Sequence, residues 1–441
     1  MQRLDEFKWE DVAAQRRHGG GKRAVVVLGC ILLAVFFFFT GWYAHWFSLS
    51  ENARNLLWAI ETATNGYYQP VDEEALYQHF FEVFALDPYS TYYSKEEYNA
   101  VLSANGGQGA DTGISISPYE NNGKIRIFRI GGNSPAERAG ILDGMYIHRF
   151  GADGNSLQTG DQNELISFVG RHVGAFSLEC GFAADGSDAR IYTVASGEYA
   201  LSECLYRDRE GAVRFVSENA SLVANDAAIG ALNELPADTA YIRLDEFYGR
   251  AAAEFEACLK LMKARGRTNL ILDLRCNGGG YLSVFSEIAS FFSKNAEGSR
   301  LVAATARYRD GVEENFYSEN RYDEFFTDST RIFVLADEFS ASASECLIGA
   351  MVSFGAVDYA DIFVRKEGGV AKTYGKGIMQ TSYVSPQGSA LKLTTAEIFW
   401  PNGKSIHGVG VTEKDGAVGI SATLLPGAED GFLTQVINLI A

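Results

Sequence analysis

Two apolar runs, Leu270-Ile271-Leu272-Asp273-Leu274 and Ile332-Phe333-Val334-Leu335, each end at a turn of small residues that opens an apolar helical pattern. Near-continuous hydrophobicity over four or five residues marks a strand covered on both faces, as in parallel sheets flanked by helices. The two turns read Arg275-Cys276-Asn277-Gly278-Gly279-Gly280 and Ser340-Ala341-Ser342-Ala343-Ser344-Glu345. The helices after them span Val284 to Phe292 and include Leu347, Ile348, Met351 and Val352. Tyr241-Ile242-Arg243-Leu244 and a helix over 251–265, with Phe255, Cys258, Leu259 and Met262 on one face, make a third unit of this kind. The pattern predicts an α/β domain within residues 201–441 and puts a site at the carboxyl ends of its strands. Residues 201–235 are polar and read as a connector with edge strands.

A chain of 441 residues is too long for one ordinary core, so two or three domains are expected. From Ala24 to Ala44 no residue is charged, and 21 residues at helical rise reach about 31 Å, enough to cross a hydrocarbon core. Arg16, Arg17, Lys22 and Arg23 precede the run and Trp42, Tyr43 and Trp46 follow its apolar centre. A transmembrane helix at 24–46 is expected, with residues 1–23 a cytoplasmic tail and the rest outside. A cleaved signal peptide is the alternative, but no small-x-small cleavage site follows. Residues 24–441 carry a net charge of −20, which argues against nucleic acid as a partner. The six cysteines (30, 180, 204, 258, 276 and 346) show no CxxC spacing and the six histidines are scattered, so no metal or other cofactor is expected.

Residues 50–100 read as a helical segment, with Leu56, Leu57, Ile60, Leu76, Phe80, Phe81 and Phe84 at three- and four-residue spacing, closed by Asp87-Pro88. Residues 101–200 read as a β-rich module. Gly113-Ile114-Ser115-Ile116 and Lys124 to Ile130 alternate as strands. Ser134-Pro135-Ala136-Glu137-Arg138-Ala139-Gly140 specifies one short helix with Ser as N-cap, Pro at the first helical position and Gly at the end. The order resembles a PDZ module, which takes a peptide C-terminus as an added strand and binds its carboxylate on backbone amides. That resemblance puts the carboxylate loop at Thr112, Gly113 and Ile114, although Gly144-Met145 stands where Gly-Asp is usual. A generic small β-domain is the alternative.

The chemistry-bearing residues lie in the two turns and beyond them. Ser342 at a helix start would sit near unpaired amides and the positive end of the helix dipole, which favour developing negative charge. A cap by Ser340, Ser342 or Ser344 is the other reading of that segment. Lys376, in Gly375-Lys376-Gly377-Ile378-Met379-Gln380, can act as a base only if burial lowers its pKa; otherwise it is a solvent-facing lysine in a turn. Three glycines after the strand at 270–274 let backbone N–H groups converge on an oxyanion. Nucleotide loops are excluded: Ser283 stands where the last glycine of GxGxxG belongs, and Ile398 where the first P-loop glycine belongs. A penicillin-binding-type site needs a lysine three residues after the serine, and Glu345 is there.

Leu86–Tyr92, Ser134–Gly140, Asp273–Gly280, Ser340–Glu345, Gly375–Gln380, Leu391–Ala396 and Gly408-Val409-Gly410 follow one another in an order that resembles the C-terminal processing peptidases, or tail-specific proteases. The resemblance covers about residues 50 to 415. It implies a ClpP/crotonase-like catalytic core with an inserted PDZ-like domain, acting as a membrane-anchored serine endopeptidase on proteins or peptides with accessible C-termini. It implies Ser342 as nucleophile, Lys376 as general base, Gln380 as its support, and the amides of Ala343 and Gly280 as oxyanion hole. A cell-membrane location with the catalytic part outside a bacterial cell goes with it; a homo-oligomer or an adaptor protein is compatible with it. The competing expectation is a catalytically silent membrane-bound PDZ scaffold. Extra polar sequence at Val364–Thr373 and an enlarged segment at 303–330 depart from the family pattern.

Overall fold

The computed structural model describes residues 27–41, 44, 48–50, parts of 53–78, 87–116, 123–215, 222–224, 235–295, 298–421 and 431–440. The chain divides into two units, Met1–Phe84 and Ala85–Ala441. In the first, residues 27–41 are helical, and Val27, Leu28, Ile31, Leu32, Leu33, Val35 and Phe36 to Phe39 are all exposed. Among the described residues no helix is long and apolar enough to cross a membrane. The expected cytoplasmic tail and both ends of the expected span at 24–46 lie outside those residues. Helical residues recur through the described parts of 53–78.

The second unit begins with β1 (Thr91–Tyr93), α1 (Lys95–Asn105), β2 (Gln108–Gly109), β3 (Ile114–Ile116), β4 (Ile125–Ile130), α2 (Pro135–Ala139), β5 (Tyr146–Gly151) and α3 (Gln162–Arg171). It continues through β6 (Ala175–Gly181), β7 (Arg190–Ala195), β8 (Tyr199–Ala200), β9 (Cys204–Asp208), β10 (Gly211–Phe215), β11 (Leu222–Ala224), β12 (Thr239–Leu244), α4 (Ala251–Ala264), β13 (Asn269–Asp273) and α5 (Leu282–Ser290). The remainder is β14 (Leu301–Tyr308), β15 (Glu313–Ser318), α6 (Tyr322–Phe325), β16 (Ile332–Ala336), α7 (Ala343–Ser353), β17 (Ile362–Glu367), β18 (Val370–Ala371), β19 (Ile378–Val384), β20 (Ala390–Phe399), β21 (Val418–Ile420) and α8 (Gly431–Ile440).

The expected α/β core is present. β12, β13, β16 and β17 are parallel neighbours, and β21 joins β17 in parallel. Register puts Ile242 beside Leu272, Leu272 beside Val334 and Val334 beside Ile362. That row packs into one cluster with α4, α5 and α7. The alternate residues Tyr241, Ile271 and Phe333 face the other way, onto Phe432, Leu433, Val436 and Ile437 of α8. Helices on both faces explain why these strands read as unbroken apolar runs.

Residues 204–215, expected as a connector with edge strands, form strands that continue the main sheet. β9 pairs antiparallel with β12, and β10 with β9, extending the main sheet. Asp208 hides this strand from a hydropathy reading: it is buried, and Arg265 and Arg267 pair with it at 2.8 and 2.9 Å. The enlarged 303–330 segment is the β14–β15 hairpin followed by α6, and the extra polar sequence after Val364 is the β17–β18 hairpin.

β3 to β7 form a separate five-stranded sheet in that order, around its own apolar cluster. In α2, Ser134 accepts the Glu137 N–H, Pro135 opens the helix, and Gly140 closes it in the left-handed conformation at φ 87°. Met145 is part of this module's core, and Asp143 accepts the Ile130 N–H at 2.6 Å.

Candidate active site

The turn after β16 is held by its own polar groups. Asp337 accepts N–H groups from Cys276, Phe339 and Ser340 at 3.0 to 3.1 Å. Ser340 Oγ donates to the Leu274 carbonyl at 2.8 Å, and Ser344 Oγ donates to the Asn277 carbonyl at 2.9 Å. Both serines are fully buried and tie this turn to the glycine loop after β13. Ser342 between them is half-buried and stands at φ 57°, ψ −113°. A non-glycine residue at positive φ costs about 1–3 kcal/mol and persists only where its surroundings hold it. Among the described residues three share this feature, and two of them, Cys276 and Ser342, lie here.

The glycine loop meets the serine turn closely. A Cβ on Gly279 would lie 2.8 Å from Ser342 Cβ and 3.0 Å from the Ala343 nitrogen, so only glycine fits at its φ of 105°. The Gly279 N–H is taken by Asn277 Oδ1 at 2.9 Å. The N–H groups of Gly280 and Ala343 have no partner among the described residues. These are the two amides expected to receive an oxyanion.

The backbone of Lys376 is brought to that of Ser342 by one carboxylate. Glu345, buried in the first turn of α7, accepts the Ser342 N–H at 3.0 Å and the Lys376 N–H at 2.9 Å on the same oxygen, Oε2. The two backbone nitrogens are therefore no more than about 6 Å apart. Glu345 Oε1 accepts Thr373 Oγ1 at 2.5 Å and the Gly375 N–H at 2.8 Å. Burial pushes the Glu345 carboxyl above its usual range, against four donors that favour its charged form. The pattern Ser342-x-x-Glu345 at a helix start was the available signal.

The Lys376 amine lies 4.9 Å from the centre of the Tyr89 ring. Burial lowers its pKa below the ordinary 10.5, and the positive charge of Lys392 lowers it further, against Asp87 and Glu345. Lys376 Nζ and Ser342 Oγ are not hydrogen-bonded to each other in this state. Tyr89 donates to Tyr374 Oη at 3.1 Å, and Asp87 accepts the N–H groups of Tyr89 and Ser90 at 2.8 Å. β1 pairs with β20, and Ser90 Oγ accepts the Thr394 N–H. This stretch, expected to close a helical segment, is a turn and strand lining the site.

Gln380 is in β19, opposite Thr394, and donates to Thr394 Oγ1 at 3.1 Å; it has no hydrogen bond to the Lys376 amine. In the small module Thr112 is buried and Gly113 is at φ 78°, with Ser134 where its Cβ would be. The Gly113 N–H is held by Asp111 Oδ1 at 2.7 Å, and the Ile114 N–H faces Thr112 Oγ1 at 3.4 Å. Cys276 lies in the glycine loop, where burial and Asp337 push its thiol well up, away from the reactive thiolate.

Residues 238–415, which include every element of this site except Asp87 to Tyr93, match peptidase family S41. Over that stretch the chain is similar to this family. It is 25% identical over 338 residues to the carboxy-terminal-processing protease of Bartonella bacilliformis, covering 75% of this chain and 66% of that one. It is 26% identical over 361 residues to the carboxy-terminal processing protease CtpB of Bacillus subtilis, covering 80% and 65%. The chain thus spans just under two thirds of the length of these relatives. A solved structure from Bacteroides fragilis assigned to the S41 proteases shares the fold, with a TM-score of 0.53 at 14% identity over 82% of this chain and 88% of that one.

Proposed function

We propose that the protein is a serine endopeptidase with a Ser342–Lys376 dyad, acting on proteins or peptides through their C-terminal tails. The observation that carries the reading is the shared Glu345 carboxylate, which binds the backbone of both residues while Ser340 and Ser344 are fixed by other partners. Neutral Lys376 takes the proton of Ser342 as its oxygen attacks the scissile carbonyl. The Ala343 and Gly280 amides hold the oxyanion, the resulting ammonium protonates the leaving amine, and water hydrolyses the acyl-enzyme. The match of residues 238–415 to peptidase family S41 and the names of the curated relatives support this chemistry.

The β3–β7 module acts as a PDZ-like receptor for substrate tails. Among the described residues β3 is an edge strand that pairs with β4 alone, so an extended peptide can be added beside it. A carboxylate arriving at Gly113 must displace Asp111. The uncharged run Ala24–Ala44, with its exposed apolar helix at 27–41, supports a single-pass anchor with a cytoplasmic N-terminus.

The test compares wild type, Ser342→Ala and Lys376→Ala on an unfolded reporter ending in an apolar tail. Each variant is expected to lose at least about three orders of magnitude in kcat/KM. Equal degradation by all three removes the dyad; binding without cleavage by wild type leaves an anchored tail-binder.

A further inference from the structure

We propose that Tyr89, which lies before the small module and outside the stretch matched to S41, is the positioning residue of Lys376: its ring face holds the amine in the resting enzyme, and the amine must leave that face to reach Ser342. The proposal rests on the dyad reading and deepens it. Its basis is geometric. The amine is 4.9 Å from the Tyr89 ring centre, within the range of a cation–π contact, and is not bonded to Ser342 Oγ. The ring itself is fixed on two sides. Its hydroxyl donates to Tyr374 Oη, and the two rings meet edge to face with centroids 6.5 Å apart. Its backbone is held in the turn whose N–H groups Asp87 accepts, anchored to β20 through β1.

The charged and titratable groups around the amine come from every neighbouring element. They are Asp87 and Tyr89 on the entering segment, Glu345 on α7, Lys392 on β20 and Tyr374 on the lysine's own loop. Tyr89 is itself pushed up to about 12 by burial and by its bond to Tyr374, so its ring stays neutral across the working range. A neutral ring face favours the ammonium over the free amine. Tyr89 therefore opposes the deprotonation that catalysis needs, while keeping the amine out of water until substrate arrives. The catalytic core is thereby completed by a segment on the far side of the module insertion, so that occupancy of the site depends on how residues 87–93 dock.

The experiment follows the pH dependence of acylation of Ser342 by a fluorophosphonate probe, which needs neither the small module nor a peptide. It uses the full chain as wild type, Tyr89→Phe, Tyr89→Leu and a series of fluorinated phenylalanines at position 89, which weaken the ring's negative face and keep its packing. Tyr89→Phe should keep the wild-type acidic limb. Tyr89→Leu should move the limb about one pH unit lower, with the fluorinated series falling progressively between. If the limb stays put, or rises, along the fluorinated series, Tyr89 does not hold the amine, even where Tyr89→Leu fails to fold. Labelling of Ser342→Ala at the wild-type rate would instead sink the dyad, which keeps the two failures apart.

Discussion

Glu345 touches no reacting atom in the proposed mechanism, yet both halves of the dyad hang from one of its oxygens. Replacing it with Gln puts an NH₂ group against N–H donors on one side of the carboxyl, because an amide has one accepting oxygen where the carboxylate has two. The Lys376 loop must then shift, and a shift of about 1 Å in a catalytic group costs about 100-fold in rate. Glu345→Gln is therefore expected to lower kcat by about that factor with KM little changed. Ser340→Ala should instead lower stability by about 1–3 kcal/mol, since it takes the acceptor of the buried Asp337 N–H and one of the donors to the Leu274 carbonyl, and should keep most of the turnover. Steady-state kinetics beside urea melts separate the two; equal kcat in Glu345→Gln and wild type would remove Glu345 from the site. The turn that carries Ser342 was legible because it is a run of small residues directly after a buried apolar strand. The contact of Tyr89 with Lys376 was not, because it joins residues some three hundred positions apart, which local periodicity cannot carry.

The same contrast holds between elements. The parallel strands and their helices were legible, since helices on both faces leave a continuous apolar imprint at β13 and β16. β9 was not, because its buried Asp208 is neutralised by arginines far along the chain. The helix that Ser342 opens shows a further constraint invisible in sequence. Gly349, midway along α7, faces Trp400, and a Cβ there would lie 2.1 Å from the indole ring. Trp400 is fully buried in the main core and cannot yield without moving its neighbours. Gly349→Ala should therefore destabilise by about 1–3 kcal/mol, although alanine is the better helix former in isolation. A thermal melt in which Gly349→Ala gains stability would mean that the indole has room to withdraw.

Across the whole second unit, the small module and the catalytic core are joined by charge more than by apolar contact. Arg214 of β10 pairs with Glu137 of α2 at 2.8 Å and with Asp245 at 3.3 Å, and its side chain is only 2% exposed. Arg129 of β4 reaches Glu246 and the Cys276 carbonyl, and Phe128 packs edge to face on Phe339 with centroids 4.8 Å apart. The module thus rests on both turns that build the site. Removing one partner from a buried ion cluster leaves the others uncompensated, at a cost of about 3–5 kcal/mol, so Arg214→Met should be strongly destabilising despite its gain in apolar surface. The pH dependence has a definite sign. Burial opposes the Asp245 charge, but Arg243, Arg129 and Arg214 outweigh it and hold its carboxyl below the ordinary 3.8. A depressed carboxyl contributes stability that is fully present above its unfolded pKa and is lost as pH falls through its folded pKa. The gap between wild type and Arg214→Met should therefore be full at pH 7 and narrow below about pH 4. Calorimetry of the full chain should also show the module and core unfolding together in wild type and separating in the variant. A single transition with an unchanged midpoint in Arg214→Met would mean that the apolar contact at Phe128 and Phe339, not the ion cluster, couples the module to the site.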